Sequence, residues 1–443
     1  MMNINNREDL EFGKFEEQNK LPKTTLRTSI YPSDSGIIDA FGRIRVSNPE
    51  TLFDSKNIFK NPELSDDEEN QPLFYDNIGI GAGTSTRYYN LEASTGLRVS
   101  ANTEGTRIRQ TKQRFNYQPG KSMLVFMTYV FDEQKSGITQ REGMFDEDNG
   151  IFLEDDGEEY FFVVRSNTTG TPTDIRIAQK DWNLDRLDGT GSSGITLDFT
   201  KTQILAFDYE WLGVGRIRIG FVIDGLFHYC HEFLNANNLK VVYMSTPNLP
   251  LRGEIINDGT GEEAELQQIC STVISEGGQN PLGTVRYSST EGTHLNANSE
   301  NTLYALIGIR LKQNFIGETI DILNTEVQLQ TGNHKLEWVL LFNPDIAGTF
   351  TYQDEQLSAV QIAKGTIANV VTNGIKIAGG FIESGTTQGA NNVAGSENVS
   401  ITNALKIGSK IDKTSDEIVL CVRPIAGSTD CNVEGSITWR ELN

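Results

Sequence analysis

Two carboxylates, Asp208 and Glu210, have the type and spacing of a catalytic pair. They lie two residues apart within residues 203–233, QILAFDYEWLGVGRIRIGFVIDGLFHYCHEF, where apolar and polar side chains alternate with period 2. Alternation of this kind predicts β-strands with one buried face, so both carboxylates point to the same side. Carboxyl groups roughly 7 Å apart on such a face are within the range of an inverting glycosidase. Glycoside hydrolysis is therefore one chemistry that this spacing allows.

The same segment offers each carboxylate a cationic partner. A three-residue loop at 212–214 places Arg218 opposite Asp208 and Arg216 opposite Glu210 on the next strand. This register gathers the large apolar groups on one face and pairs every charge on the other, whereas a one-residue slip mixes the two sets. We therefore favour structural cross-strand pairs. Because the E-x-D-x-x-E signature of sandwich-fold glucanases is also absent, the sequence predicts a protein that is not an enzyme.

A sugar-binding interpretation applies to Asp181, Trp182 and Asn183. An aromatic ring beside Asp and Asn on a Gly-rich loop can stack on a sugar ring, as it does in lectins. An aromatic residue here also fits a cap on the core of a sandwich, which is the more common role. These three residues are the predicted glycan contacts if the protein binds carbohydrate.

Metal-binding patterns are weak, and the sequence predicts no cofactor. His228 and His231 lie three residues apart, so a strand would point them to opposite faces and they could not bind one ion together. The acidic runs at 146–149 and 155–156 could hold Ca²⁺, but they lack EF-hand spacing, and a solvated hairpin tip is favoured. The cysteines match no zinc or disulfide framework. Cys421 and Cys431 could pair across a hairpin, although buried free thiols are favoured.

The charge distribution restricts the partners. The formal net charge is −22, from 60 acidic and 38 basic residues, which argues against nucleic acid and against an anionic membrane surface. Residues 87–121 are a local exception, with seven basic and two acidic side chains. They predict either a solvated strand face or a docking surface for an acidic neighbour, which could be another copy of the chain. The proposed docking residues are Arg107, Arg109, Lys112 and Arg114.

The pattern along the chain predicts an all-β protein. The 42 glycines and the many short Val, Ile, Phe and Tyr runs are typical of strands. We expect an extended N-terminal arm at 1–50, a jelly-roll, concanavalin-like sandwich at 51–300 and a second, smaller β-sandwich at 301–443. Asp224-Gly225 predicts a type I′ turn. Which side chains of the strand after this turn face the core is left undecided. Short helices are expected at 7–18 and 261–269, and a linker at 276–301.

Four segments resemble recurring blocks in structural proteins of tailed bacteriophages. They are DAFGRIRVSNPETLFDSK (39–56), RQTKQRFNYQPGKS (109–122), DWNLDRLDGTGSSGITLD (181–198) and YEWLGVGRIRIGFVIDG (209–225). The resemblance continues through YALIGIRLK (304–312) and GSITWREL (435–442). Separately, the strands that flank the Val-Ile-Asp-Gly turn are similar to concanavalin-like and laminin-G-like sandwiches.

The phage resemblance implies a virion component that acts through protein–protein assembly, in the tail, baseplate, fibre or capsid decoration. Its expected partners are other virion proteins and further copies of itself, with a trimer as one arrangement. It is expected in the virion, after assembly in the bacterial host cytoplasm. The alternative is a carbohydrate-binding module that recognises a host-surface glycan. A polysaccharide-degrading enzyme that uses Asp208 and Glu210 is the third interpretation.

Overall fold

The computed structural model describes residues 48–58, 73–280, 282–331, 333–384 and 406–442. Within these ranges the chain is all-β, as predicted, apart from 3₁₀ turns at Gln179–Asp181 and Gln313–Phe315. No helix in the described ranges has the length and hydropathy of a membrane span. The expected helix at 7–18 and all but the last residues of the expected arm lie outside the described residues.

The first sandwich consists of fifteen antiparallel strands. They are β1 (Glu50–Lys56), β2 (Tyr75–Gly81), β3 (Thr84–Tyr89), β4 (Ser94–Val99), β5 (Gly105–Thr111), β6 (Met123–Val130), β7 (Ile138–Phe145), β8 (Gly150–Asp155), β9 (Tyr160–Ser166), β10 (Thr173–Ala178), β11 (Gln203–Tyr209), β12 (Ile217–Ile223), β13 (Leu226–Phe233), β14 (Leu251–Asn257) and β15 (Ala264–Ser275).

These strands form two facing sheets with one core between them. The eight-stranded sheet has the order β13-β12-β11-β6-β15-β4-β3, and β1 also pairs with β15. The seven-stranded sheet has the order β10-β9-β8-β7-β14-β5-β2. Alternate residues of both sheets, such as Phe207 and Phe162, meet in a single apolar cluster, because period 2 places every second side chain on the inner face. This is the predicted jelly-roll, concanavalin-like sandwich.

The β11–β12–β13 meander has the register that the sequence favours. Leu205 lies opposite Phe221, and Asp208 lies opposite Arg218. The predicted type I′ turn between β12 and β13 is confirmed, since Asp224 and Gly225 have φ of 51° and 78°. The sequence left undecided which side chains of β13 face the core, and a β-bulge between β12 and β13 settles this. Because the extra residue changes the alternation, Cys230 and Phe233 both reach the core despite their odd spacing.

The expected helix at 261–269 is wrong, because β15 occupies Ala264–Ser275. Its burial alternates residue by residue, and it lies between β6 on one side and β4 and β1 on the other. The Glu, Ala, Leu and Gln residues that favour helix locally are overridden by pairing with these neighbours. Tertiary context commonly outweighs such small propensity differences.

The second sandwich follows with twelve strands. They are β16 (Thr284–Ser289), β17 (Leu295–Ala297), β18 (Tyr304–Leu311), β19 (Ile320–Leu329), β20 (Lys335–Phe342), β21 (Asp345–Ile346), β22 (Gln353–Asp354), β23 (Val360–Lys364), β24 (Val371–Thr372), β25 (Ile375–Glu383), β26 (Glu417–Ile425) and β27 (Cys431–Glu441).

A four-stranded sheet and a six-stranded sheet enclose the second core. The first joins β16, β17 and β19 to β27, and the second has the order β22-β23-β18-β26-β20-β25. Trp439 is fully buried in the core between them. The zone at 276–301, which the sequence suggested as a linker, contains β16 and β17. Both pair with β27, so residues 284–297 belong to the sheets of the second sandwich although they precede residue 300.

Candidate functional site

Trp182, the predicted sugar platform, lies inside the first sandwich. It is 3% exposed and stacks on Phe162 at a centroid distance of 4.0 Å. Its indole N–H donates to the carbonyl oxygen of Ile177 at 3.2 Å. Because its ring faces and its polar atom are engaged within the protein, Trp182 cannot stack on a ligand, and this predicted contact is wrong. The ring instead caps the core, which was the alternative interpretation.

The two neighbours of Trp182 do not form a sugar site with it. Asp181 is exposed in the 3₁₀ turn. The Asn183 amide bridges to the backbone of Glu232, donating to its carbonyl oxygen and accepting from its N–H, each at 2.9 Å. Both groups of that amide therefore hold the loop against β13.

Asp208 and Arg218 form a buried pair on the outer face of the eight-stranded sheet. Arg218 is 4% exposed, and its Nε donates to Asp208 Oδ1 at 2.8 Å, while its Nη2 donates to Oδ2. Tyr229 donates its hydroxyl proton to the same carboxylate. An Asp bound by a bidentate guanidinium and a phenol is a structural group, so it is not free to act as a catalytic base.

Glu210 lies at the end of the same strand in a different environment. Its backbone N–H donates to the carbonyl oxygen of Arg216 at 3.2 Å, whereas the Arg216 guanidinium lies 3.5 Å from Glu232. Glu210 Oε2 is buried and has no hydrogen-bond partner among the described residues. Burial raises the pKa of Glu210 to about 7. Asp208, in contrast, is bound by the Arg218 guanidinium.

The predicted basic docking surface does not exist as an open surface. Arg109 is 1% exposed, donates to Gln268 Oε1 at 3.1 Å, and lies 3.5 Å above the Tyr75 ring. Arg114 is 8% exposed and forms an ion pair with Asp146. Both residues were predicted to contact an acidic neighbour. The two predictions are wrong, because both side chains are buried within their own sandwich.

The other two residues of that group also have partners within the chain. Arg107 Nε donates to Thr86 Oγ1 at 2.7 Å. Lys112 Nζ lies 3.9 Å from Asp416 in the second sandwich, and the Lys112 carbonyl oxygen accepts from the Ser409 N–H at 2.9 Å. The acidic neighbour of Lys112 is therefore the second sandwich of the same chain.

The acidic runs considered for Ca²⁺ are used in turns. Asp146 Oδ1 accepts the N–H groups of Asp148 and Asn149, each at 2.8 Å. No group of three His, Cys, Asp or Glu side chains is placed to hold a metal ion in the described part of the chain. Cys421 and Cys431 are both buried free thiols, so the disulfide alternative does not apply.

The outer face of the seven-stranded sheet carries a charged arrangement that the sequence did not reveal. On β7, β8 and β14 the inward residues, such as Met144, Leu153 and Ile255, belong to the core. The alternate, outward positions therefore present Arg141, Glu154 and Glu254 side by side on three neighbouring strands. Each glutamate is less than 5% exposed, although it lies on the face that points away from the core.

Arg141 joins the two glutamates. Its Nε donates to Glu154 Oε2 and its Nη1 donates to Glu254 Oε1, each at 2.6 Å. The line extends on both sides. Arg176 binds Glu154 and Asp156 at 2.7 Å, and Arg252 binds Glu254 and, at 2.8 Å, Glu147. We call this alternating series the charge ladder, and its members are Asp156, Arg176, Glu154, Arg141, Glu254, Arg252 and Glu147.

An apolar floor lies beneath the charge ladder. Phe145, Phe152 and Val163 form a small cluster separate from the main core, and each is at most 1% exposed. The guanidinium groups of Arg141 and Arg252 lie 5.8 Å above Phe152 and 5.3 Å above Phe145. Arginines cover apolar surface with their stems and aromatic faces with their charge, which explains why these outward rings are buried.

Gly143 makes this close packing feasible. It is the outward residue between Arg141 and Phe145 on β7, opposite Phe152 on β8. A Cβ at this position would approach the Phe152 Cβ to 2.5 Å. Any larger residue would push β7 from β8 and separate the strands that hold the ladder.

The electrostatics of the ladder keep Glu254 ionised. Burial by itself would raise the pKa of Glu254, but the guanidinium groups of Arg252 and Arg141 lower it below its ordinary value. A general acid in glycoside hydrolysis needs the opposite shift. Glu254 is therefore suited to accept hydrogen bonds and not to donate a proton.

One end of the ladder opens into a recess of about 410 Å³. It is lined by Glu147, Arg165, Pro172, Asp174, Arg252 and Glu254. Arg165 donates through Nε and Nη2 to the two oxygens of Asp174, both at 2.9 Å. The recess thus combines the buried Arg252 and the half-buried Arg165 with carboxylates that are partly exposed, since the side chains of Glu147 and Asp174 are 44% and 26% exposed.

The sequence contained one misleading signal for this site. Residues 146–159 include eight acidic side chains and no base, which suggests a solvated tip. The arginine partners of Glu147, Glu154 and Asp156 come from β7, β10 and β14, and Arg141 and Glu254 are 113 residues apart. The alternating Arg252 and Glu254 of β14 could have indicated an outward charged pair, but not its burial.

Several solved structures resemble the described fold. A family 16 glycoside hydrolase of the mixed-linkage glucan locus of Bacteroides ovatus is 9% identical, with a TM-score of 0.33, and the match covers 50% of this chain and 99% of that one. A β-1,3-glucanase from Mycobacterium marinum is 12% identical, with a TM-score of 0.32 and coverage of 51% and 98%. A Shewanella oneidensis protein of unknown function is 8% identical, with a TM-score of 0.32 and coverage of 59% and 97%. No protein-family model and no curated protein matches the sequence.

These comparisons correct one prediction. The sequence predicted that the chain is not an enzyme, whereas many of the similar structures are glycoside hydrolases. That prediction is contradicted and we withdraw it. Identities of 8–12% report on the fold and assign no activity, so hydrolysis is a property to be measured together with binding.

Proposed function

We propose that the first sandwich binds carbohydrate at the recess on the outer face of the seven-stranded sheet. The observation that carries this proposal is the set of charged hydrogen-bonding groups that converge on the recess. Sugar rings present hydroxyl groups at their edges, so a lining of hydrogen-bonding groups suits them. The volume of about 410 Å³ lies within the range of roughly 300–1,000 Å³ that is typical of small-molecule sites.

The residues divide this task between them. Arg252 and Glu254, each 4% exposed, are fixed by the charge ladder and give the recess a rigid wall. Glu147 and Asp174 lie at its mouth, where each carboxylate binds an arginine and keeps further acceptor positions for hydroxyl protons. A binding site supported in this way needs little reorganisation when a ligand enters.

We expect Glu147→Ala combined with Asp174→Ala to weaken glycan binding by about tenfold or more, because two acceptor groups are removed. A glycan array with the full chain identifies a ligand, and titration calorimetry then compares the variants. Release of reducing ends from the same ligand measures hydrolysis. The matched control is Glu158→Ala, an exposed acid in the β8–β9 turn, which should bind like the wild type. Equal affinity of all three proteins would locate the site elsewhere, and an array without binding would remove the proposal.

We also propose that the protein is a structural component of a bacteriophage particle and acts through assembly. The sequence blocks that resemble phage structural proteins support this proposal. A second support is an exposed apolar patch at one end of the first sandwich, where Leu212, Leu234 and Val241 are 50%, 53% and 61% exposed. The two loops that carry them are joined by a hydrogen bond from Tyr243 N–H to the Gly213 carbonyl oxygen at 2.9 Å. Patches of this kind commonly mark protein interfaces.

Removal of residues 1–47 tests the assembly proposal. The variant keeps β1, so we expect it to fold with an unchanged unfolding temperature but to be missing from purified particles. Mass spectrometry of particles assembled with wild-type and truncated chains measures incorporation. A truncated chain that enters particles as efficiently as the wild type would contradict an anchoring role for the arm.

A further inference from the structure

We propose that the recess selects glycans that carry free amino groups and rejects acidic sugars. This inference rests on the proposed carbohydrate binding and names the class of sugar. It follows from which hydrogen-bonding groups of the recess are already engaged and which are exposed. The same recess, with its arginines free, would predict the opposite preference.

In both arginines of the recess, the parallel N–H donors that could bind a sugar carboxylate are already engaged. Arg165 uses Nε and Nη2 on Asp174, and its Nη1 donates to the Asp146 carbonyl oxygen at 3.2 Å. Arg252 uses Nε and Nη2 on Glu254, and its Nη1 donates to Glu147 at 2.8 Å. Strong recognition of a carboxylate depends on two parallel N–H donors of one guanidinium. In both arginines those donors are held by carboxylates of the protein itself.

The exposed groups of the recess are acceptors. Glu147 and Asp174 are its most accessible charged side chains, and an ionised carboxylate has about four acceptor positions, of which arginine uses one or two. The lining contains three carboxylates and two guanidinium groups, so its formal charge is −1. An ammonium group has three donors and no acceptor, which makes it complementary to this mouth.

The electrostatic field of the whole chain also favours cationic ligands. A formal net charge of −22 attracts cationic ligands and repels anionic ones before contact. Because Glu147 and Asp174 are partly exposed, their attraction for an ammonium group is weakened by salt. A preference for amino sugars should therefore decrease as the ionic strength rises. A preference based on hydroxyl contacts alone would change little.

The test compares three oligosaccharides on the full chain by titration calorimetry. They are a glucosamine tetramer at a pH where its amines are charged, its N-acetylated counterpart, and a galacturonate tetramer. We expect the glucosamine tetramer to bind about tenfold more tightly than the acetylated one at low salt, as one added charge-assisted hydrogen bond would give. The difference should shrink at high salt, and the galacturonate should bind more weakly than either.

Neutral variants of the mouth distinguish the outcomes. Glu147→Gln with Asp174→Asn keeps the shape and removes the charge, so it should abolish the amine preference, while Glu158→Gln should preserve it. Equal binding of the two glucosamine forms, a preference that persists in the neutral variants, or tighter binding of galacturonate would each overturn this inference. If neutral glycans bind and Glu147→Ala with Asp174→Ala abolishes that binding, the proposed function stands even when the amine preference fails. If no glycan binds, both fail.

Discussion

Replacing Glu142 with Gln should reduce the loss of stability that the first sandwich of the wild type shows as the pH rises from 5 to 8. Glu142 points inward from β7 into the space between the two sheets and is 1% exposed. Gln268 Nε2 lies 3.0 Å from each of its carboxylate oxygens, and Arg109 Nη1 donates to the other end of Gln268. The glutamate is thus separated from the nearest cation by a neutral amide.

The sign of the effect follows from the direction of the shift. Burial raises the pKa of Glu142 to about 8, against an ordinary value of 4.5, although Gln268 and Arg109 lower it in part. The folded state therefore holds a proton that the unfolded chain releases near pH 4.5. Stability from this group is fully present below pH 4.5 and is lost as the pH rises towards 8. A shift of this size corresponds to roughly 5 kcal/mol between the two protonation states.

The measurement is urea unfolding of both proteins at several pH values, followed by hydrogen exchange in peptides from β7 and β15 so that the first sandwich is observed separately. Glu159→Gln is the matched control, because Glu159 is an exposed acid paired with Lys180, and its pH profile should follow that of the wild type. A wild-type stability that is constant from pH 5 to 8 would show that the pKa of Glu142 in the folded protein is close to its ordinary value. A Glu142→Gln profile parallel to that of the wild type would show the same.

Replacing Arg141 with Met should destabilise the same sandwich by about 3 kcal/mol, the lower end of the range for breaking a buried ion pair. Arg141 is the one member of the charge ladder that binds both Glu154 and Glu254, whose side chains are 4% and 6% exposed. Its loss leaves each glutamate with a single arginine. The expected effect is at the lower end because Arg176 and Arg252 remain.

Two further variants test the cause of that loss. Lys180→Met removes a pair whose side chains are 65% and 46% exposed, and it should leave the unfolding free energy nearly unchanged. The triple variant Arg141→Met, Glu154→Gln and Glu254→Gln also removes the two buried charges that have each lost one of their two arginines, and it should recover part of the stability. If the triple variant is less stable than Arg141→Met alone, the loss is due to packing over Phe152 and not to uncompensated charge.

The sequence predicted well what depends on neighbours along the chain. Alternation of apolar residues is enough to identify strands, and the pairing of Asp208 with Arg218 follows from one loop length and one rule about faces. The Asp224-Gly225 turn follows from the positive φ that its two residues tolerate. Where neighbours in space decide, the prediction failed, as at β15, whose helix-favouring residues are held as a strand between β6 and β4.

The sequence by itself determined that this chain folds into antiparallel sandwiches and which residues share a face of each strand. Only the tertiary structure decided which faces are covered. Arg109 and Trp182 looked available for partners because composition cannot show that a second sheet lies over them. Glu154 lies in an acidic run that looked solvated because Arg141 and Arg176, which bind it, come from other strands. The period-2 pattern is local and assigns each side chain to one side of the sheet. Burial and charge compensation depend on neighbouring strands that can be more than a hundred residues apart in the sequence.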